Sequence, residues 1–514
     1  MLNCNIFRHI VRWISMKYDP PVYGINFFSR NKIRVVNVIG RRIPMSKIEG
    51  KELFLTDNLN QNVELIQRAF YHTEDLVVES VVFGHKRGQL LYINSLVAKD
   101  KVMDYIIRPL KSSKVKHALE SLQVSEEKQT GTVHKLVSEL LSGSCALLLE
   151  GEEKAILASV PVEEKRAIKE PDSEHIISGP HDGFGESMAT NMMLLRKRIK
   201  APSFKMKKYV FGHLTGTNVA LMYIDEVIDQ KVIHHIEEKL NSVDLQELQT
   251  STALLEVIQD NKHSPFPQAL STERPDRAAS YLLEGKAVLI VDGTPEVLVL
   301  PTTFFAFYQS VDDYTMHWIV GSFFRILRLI SFLIAVTLPA MYIAIVSFHP
   351  EILPLGLLYS IRTSIEYVPF PPILEAFLMQ IILEILKEAA IRLPSPIAQT
   401  IGIVGGLVIG TAVVEAGLVS NTMIVIIGLT AIASFAAPFN QMAVISRLLG
   451  FVSMVAAFLF GLFGIAIILM AIIIHLCKLE SFGEPYFAPL APLKTNEMGD
   501  FVLRKPNKNG ESPS

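Results

Sequence analysis

The sequence predicts an α/β soluble N-terminal region of two related subdomains followed by an all-α polytopic membrane domain. Three observations lead there. Residues 1 to about 317 alternate charged and apolar residues, whereas the chain from Trp318 to about Leu476 is nearly continuous hydrocarbon and the tail from Lys478 is polar again. Two stretches of the N-terminal half resemble each other: VFGHKRGQLLYINSLVAKDKVMDYIIRPL (82–110) and VFGHLTGTNVALMYIDEVIDQKVIHHIEEKL (210–240). The apolar part, finally, contains a stretch between Pro371 and Val419 that carries Glu375, Glu384, Lys387, Glu388, Arg392 and Glu415, together with glycines at 402, 406 and 410. Ionisable groups in a bilayer are costly and usually face a bundle interior or a wet path, and small residues at that spacing let helix backbones approach closely.

At 514 residues the chain exceeds one ordinary domain. Five regions are expected: an N-terminal flank (1–54), a first α/β subdomain (55–165), a second with the joint to the membrane part (166–317), a membrane domain of four or five helices (318–478) and a polar tail (479–514). The net charge of −2 implies no general attraction to nucleic acid or acidic lipid. Cys4, Cys145 and Cys477 lie far apart without metal-ligand spacing, as free thiols in a reducing compartment do. The N-terminus MLNCNIFRHIVRW lacks a long apolar core and a small-residue cleavage site, so it does not read as a secretory signal, and the soluble region is expected on the cytosolic side.

In the soluble part, DNLNQNVELIQRAF (57–70) has helical spacing. Each related stretch then reads as a Val-Phe-Gly-His strand, a glycine-containing turn, an apolar strand ending Tyr-Ile-Asn or Tyr-Ile-Asp, and a helix with apolar spacing. Asn94 and Asp225 suit a helix N-cap, whose side-chain oxygen accepts an early backbone N–H. A hairpin-then-helix unit used twice implies duplicated subdomains. Residues 161–185, polar and broken by Pro and Gly, read as a linker. A further helix is expected over 242–260. The run 264–304 holds a helix from about Asp276, then two strands joined at Asp292-Gly293. Before that helix, Thr272-Glu273-Arg274-Pro275-Asp276 concentrates charge. It is either a capping and ion-pair cluster or a joint that transmits a signal to the membrane part, with Glu273, Arg274 and Asp276 as candidate coupling residues.

Residues 326–348 form the first expected span, long enough for about 30 Å of hydrocarbon, kinked at Pro339 and flanked by Arg325 and Arg328 on its cytosolic end. Residues 372–392 form a second helix with Glu384, Glu388 and Arg392 on one stripe and Glu375 opposite. This helix either lies at the interface with wetted charges or spans with its carboxylates facing a shared cavity. Residues 400–418 and 421–437 read as a helical hairpin turning at Ser420-Asn421, and Glu415 is either interfacial or cavity-facing. Residues 448–474 read as one last span between Arg447 and Lys478. Glu375, Glu384, Glu388 and Glu415 are therefore the candidate pore or gating residues. Gly402, Gly406 and Gly410, on one helix face, are candidates for helix packing within the subunit or between copies.

No phosphate-binding loop, dinucleotide fingerprint, zinc-protease motif or nucleophile elbow is present, so an enzyme is disfavoured and no cofactor is expected. His234 and His235 are adjacent, about 100° apart on a helix, and do not form a metal pair.

Three blocks carry a resemblance. DGFGESMATNMMLLRKRIK (182–200), PFPQALSTERPDRAASYLLEGKAVLIVDGTPEVLVLPTTF (265–304) and FPPILEAFLMQIILEILKEAAIRLPSPIAQTIGIVGGLVIG…EAGLVS (370–420) resemble signatures of the A subunits of spore germinant receptors, the GerA family. The resemblance runs from about residue 55 to 492. It implies a multi-pass protein of the spore inner membrane that works with a transporter-like B subunit and a lipoprotein C subunit. It also implies homo-oligomerisation and a nutrient-gated ion channel that triggers germination. The rival readings are a non-conducting scaffold or transducer, a carrier with its own midplane site, and the paralogue associated with the dipicolinic-acid channel.

Overall fold

The computed structural model describes residues 53–83, 86–108, 129–162, 171, 174, 179–393, 397, 406, 408, 410–494 and 501–504. The expected flank 1–54 lies almost wholly outside them, as does most of the linker.

The soluble region contains two five-stranded antiparallel sheets of the same topology. The first, ordered β1-β2-β4-β5-β3, uses β1 (Leu76–Phe83), β2 (Lys86–Ile93), β3 (Gln129–Thr130), β4 (Ser144–Leu149) and β5 (Ala155–Ser159). The second, ordered β6-β7-β9-β10-β8, uses β6 (Phe204–Phe211), β7 (Thr217–Ile224), β8 (Leu270–Thr272), β9 (Ala287–Val291) and β10 (Val297–Leu300). The related stretches form the leading hairpins, with Leu76 opposite Ile93 and Phe204 opposite Ile224.

The helices repeat as well. In the first subdomain α1 (Leu59–Ala69) precedes β1. Next, α2 (Lys99–Val102) follows β2 and continues as a π turn over Met103–Ile107, and α3 (Val133–Leu141) joins β3 to β4. In the second, α4 (Met188–Arg198) precedes β6, α5 (Gln230–Asn241) follows β7, α6 (Ser251–Ile258) comes next, and α7 (Pro275–Leu283) joins β8 to β9. Strand alternation sends residues to both faces, so each sheet is covered twice. Leu91, Ile93, Ala146 and Leu148 meet Ile66, Leu136 and Leu140 on one face. Leu90, Tyr92, Leu147 and Leu149 meet Val102, Ile106 and Ile107 on the other. In the second sheet Met222, Ile224, Val288 and Ile290 meet Leu195, Ala278 and Leu282. Its other face sets Leu221, Tyr223 and Leu289 against Val232, Ile236 and Leu240.

The duplication therefore extends beyond the hairpins that the sequence singles out. LLSGSCALLLEG (140–151) and LLEGKAVLIVDG (282–293) occupy the same place. Gly143 and Gly285 end equivalent helices at φ 85° and 86°, a left-handed conformation that a Cβ disfavours.

A buried ion pair ties the two subdomains together. Arg196 Nε of α4 lies 3.1 Å from Asp75 Oδ2, with both side chains inaccessible. Asp75 also accepts from Ser95 N at 3.0 Å and Ser95 Oγ at 2.5 Å.

Beyond the second sheet a 3-10 turn (Phe304–Tyr308) and α8 (Asp312–Thr315) lead to α9 (Trp318–Phe348), which continues through Pro339. Then come α10 (Leu355–Ile365), α11 (Pro372–Ile391), a helical segment over residues 410–415, α12 (Asn421–Phe435) and α13 (Asn440–Lys478). Helices α9 and α13 are long and apolar enough to cross a membrane.

The last apolar run departs from the single span expected over 448–474. Gly461, at φ 60° and ψ −141°, breaks α13, and a Cβ on Gly464 would lie 2.0 Å from the carbonyl oxygen of Ala456. Such an approach across eight residues requires the chain to reverse. Met442 and Ile445 accordingly share one cluster with Ile472 and Leu476, while Met454, Ala457 and Ile465 share another. Residues 440–460 and 462–478 are thus two arms of a helical hairpin. The tail then returns to the second sheet, where Ser481 Oγ donates to Gln268 O at 2.7 Å and accepts from Thr302 N at 2.9 Å.

Candidate functional site

Ionisable groups gather in two places, along α11 and its neighbours, and at the joint where the second subdomain meets α9 and α13.

Helix α11 opens with Pro372, which needs no N–H in the first turn. One turn on, Glu375 is fully buried and its Oε2 accepts from Ser420 N at 2.9 Å. Ser420 caps α12, its side chain accepting from Met423 N at 3.3 Å. A carboxylate at a helix N-terminus is favoured by the orphan N–H groups and the dipole there. Glu375 therefore pins the start of α11 to the start of α12. Glu375→Gln is expected to cost about 0.5–1 kcal/mol, read as a lower unfolding midpoint in detergent, with ion conductance unchanged. Altered conductance at an unchanged midpoint would instead give this carboxylate a role toward ions.

Glu384 is half-buried, 2.8 Å from Arg447 Nε of α13 and 3.9 Å from Lys387 Nζ. Lys387 in turn sits 4.4 Å from the Phe435 ring centroid. Glu388 pairs with Arg392 at 2.6 Å on the surface, and Glu415 is exposed. Two of the four candidate carboxylates thus point into the chain and two lie on its outside. Gly402 falls outside the described residues. Among the described residues, a Cβ on Gly406 or Gly410 would meet nothing within 4 Å.

The joint is built on the short Phe304–Tyr308 turn. Phe304 packs on Phe332 of α9 with centroids 5.6 Å apart, and Phe307 packs on Phe439 at 5.5 Å. Phe305 meets Phe501 of the tail at 4.1 Å. Ser264 Oγ lies 2.8 Å from His475 Nε2 at the other end of α13. The second sheet's core thereby runs without a gap into the apolar helices.

Charge is threaded through this apolar contact. Arg274, the residue before α7, is 1% exposed and donates to Asp276 Oδ2 at 2.6 Å and to Pro180 O at 3.1 Å. The Glu273 carbonyl accepts from Phe184 N at 2.7 Å. The predicted coupling residues thus bind elements of their own subdomain. The residue that reaches the apolar helices is Arg277, one place beyond them. It donates to Gln309 O at 2.8 Å, and its guanidinium lies 4.3 Å from the ring of Phe439, the cap of α13.

Arg325 and Arg328, which flank the first expected span, converge on buried Asp313, at 3.2 and 2.7 Å. Arg504 of the tail closes the cluster, donating to Asp313 O at 2.9 Å and Met316 O at 2.8 Å. The sequence does carry a signal for this group, an Asp-Asp pair shortly before two arginines one helical turn apart.

Comparison with known proteins fits these features. The family described as Bacillus/Clostridium GerA spore germination protein matches residues 64–513. Spore germination protein A1 of Bacillus subtilis (strain 168) is 36% identical over 472 residues, covering 90% of this chain and 96% of that one. Spore germination protein KA of the same organism is 36% identical over 467 residues, 89% of this chain and 86% of its own. A relative described as the uncharacterized membrane protein YfkQ, also of Bacillus subtilis, is 36% identical over 88% of this chain and 90% of its own. Among solved structures, the N-terminal domain of the A subunit of the Bacillus megaterium spore germinant receptor GerK3 matches with a TM-score of 0.39 and 27% identity, covering 49% of this chain and 98% of that chain. This chain is a membrane protein belonging to the GerA family of spore germination proteins.

Proposed function

We propose that the chain is the A subunit of a nutrient-sensing germinant receptor, that copies of it assemble in the spore inner membrane, and that the assembly conducts ions when nutrient binds. A transporter-like B subunit and a lipoprotein C subunit would complete the receptor, and the soluble subdomains would lie on the cytosolic side. The supporting observation is where charge is left exposed. The Glu388–Arg392 pair and Glu415 lie exposed in an otherwise apolar region, and among the described residues nothing meets a Cβ on Gly406 or Gly410. Bare charge facing hydrocarbon is costly, so another copy or water must cover it. Glu388 lies one turn beyond the Glu384–Arg447 pair, toward the joint, and Glu415 shortly before Ser420, toward the opposite end. In a ring of copies these carboxylates would concentrate cations at the two mouths of a path.

A hairpin at Gly461 gives α13 two crossings, and with α9, α11, the 400–418 segment and α12 the count becomes even. That agrees with a tail that ends on the second sheet. Two changes test the channel. Glu388→Gln with Glu415→Gln is expected to lower cation flux from liposomes severalfold or more at normal protein level; unchanged flux sinks the pore-carboxylate reading. A Cβ at Gly406 meets nothing within 4 Å among the described residues, so Gly406→Leu should leave folding intact while abolishing the oligomer; a normal oligomer sinks the packing role. The scaffold reading draws on Glu375 and Glu384, each held by a partner within the chain, and it requires liposomes holding the purified protein to stay impermeant.

A further inference from the structure

At the joint, a cavity of about 220 Å³ opens between α7, the Ser310-Val311 segment and the Phe435–Pro438 turn that links α12 to α13. Arg274, Arg277 and Arg328 all line it, against one carboxylate, Glu174. We propose that this cavity binds a phosphate-type oxyanion and that the bound anion ties the second subdomain to the turn between α12 and α13.

The guanidinium groups are held there by other contacts and still have donors to spare. Arg274 is 1% exposed and spends one terminal nitrogen on Asp276 and Pro180, yet its Nε is buried with no hydrogen-bond partner. A buried N–H left unsatisfied is unfavourable, and native proteins rarely leave one without reason. Arg277 donates one terminal nitrogen to Gln309 O, while its other lies 3.7 Å from Glu174 Oε2, beyond hydrogen-bond distance. Arg328 reaches Asp313 and Tyr308 O through one terminal nitrogen. Asp276 pairs with Arg274, and Asp313 is shared between Arg325 and Arg328, so these two carboxylates offset only part of the charge of the four guanidinium groups around the cavity. Glu174 accepts from Thr272 Oγ1 at 3.0 Å, and burial holds its proton above the usual carboxylate range, against the lowering effect of Arg277. Planar guanidinium forks match the geometry of phosphate oxygens, and a desolvated wall strengthens each charged bond. The cavity lies where the apolar helices end, so the phosphate would come either from a lipid headgroup or from solution.

The test uses the purified full chain. In nanodiscs of phosphatidylcholine containing phosphatidic acid, native mass spectrometry reports retained phosphatidic acid. In phosphate-free maltoside micelles, a thermal-shift titration reports inorganic phosphate. Saturable binding in the first arm alone assigns a headgroup, and in the second a soluble phosphate. In whichever arm binds, Arg277→Gln should weaken binding about tenfold or more. Arg68→Gln, on the exposed Glu64 pair of α1, should leave it unchanged. If Arg277→Gln lowers the melting temperature, Arg274→Lys serves instead, since it keeps the charge and loses the fork and Nε; the same tenfold loss is expected. Binding in neither arm, or equal binding by wild type and these variants, overturns the proposal.

Discussion

Asp313→Ala should be among the most damaging single substitutions in the chain, costing about 3–5 kcal/mol. Its carboxylate is 1% exposed and receives Arg325 and Arg328, whose side chains are 2% and 15% exposed, as well as the backbone N–H of Ser310 at 3.0 Å. Removing it leaves two cations, one of them almost wholly buried, without their carboxylate partner beside the aromatic turn. The start of α9 runs close against this turn, since a Cβ on Gly321 would lie 2.6 Å from the Asp313 carbonyl oxygen. Thermal unfolding of the full chain in detergent reads the loss directly. A triple change, Asp313→Ala with Arg325→Met and Arg328→Met, removes the charges together and should recover much of the stability, as replacing a whole buried ionic group often does. A single variant within about 1 kcal/mol of wild type would mean that the cluster is wet and does not hold the joint. In the receptor proposed above, loss of the cluster should separate nutrient binding from the germination response at equal protein level, because the helices that begin at Trp318 and Asn440 would no longer be fixed to the second sheet.

How far the sequence speaks depends on the range of the interaction. Local patterns are legible. The paired hairpins follow from alternation and turn chemistry, and α1 and α5 from helical spacing, although the caps expected at Asn94 and Asp225 fall elsewhere: α5 is capped by Asp229, and α2 starts after Ala98. Even the second half of the repeat is written in LLSG and LLEG, although its strands are too apolar to show a period: β4, β9 and β10 are buried at every position. The carboxylates are a different matter. Composition flags Glu375, Glu384, Glu388 and Glu415 as costly in hydrocarbon, but only tertiary partners separate them. Ser420 lies 45 residues from Glu375, and Arg447 belongs to another helix. Arg277 is missed because the charge cluster before α7 draws attention to its neighbours, while the ring it meets, Phe439, lies in the apolar half. Arg504 is hidden in a tail whose composition reads as solvated.

The hairpin in α13 is the feature that hydropathy could not show, because an apolar run looks the same whether it runs on or folds back. As one straight helix, its 39 residues would reach about 58 Å at about 1.5 Å per residue, nearly twice the hydrocarbon thickness. The local signal is Gly461 and Gly464 in FLFGLFG. Gly461 takes a backbone conformation that is essentially restricted to glycine, and its Cα faces Phe348 and His349 at the end of α9, where a Cβ would sit 3.3 Å from each. Gly464 has no room at all. Its Cβ would overlap the Ala456 carbonyl, which is backbone and cannot rotate aside. Gly464→Leu is therefore expected to force the arms apart and to destroy the reversal. The second arm would then lose its place in the cluster that Ile472 and Leu476 share with Met442 and Ile445, and the His475–Ser264 contact with it. A cysteine placed in the tail at Ser481 reads the outcome in inverted and right-side-out vesicles. In wild type the tail packs on the second sheet, so this position should be labelled, once denatured, from the side on which the soluble subdomains lie. In Gly464→Leu the reading should move to the opposite side, or the protein should fail to accumulate. Gly428→Leu is the matched control, a membrane-helix glycine whose added Cβ would meet nothing within 4 Å. If Gly464→Leu accumulates like that control and keeps its tail on the original side, the two arms do not make the turn described, and the even number of crossings falls with them.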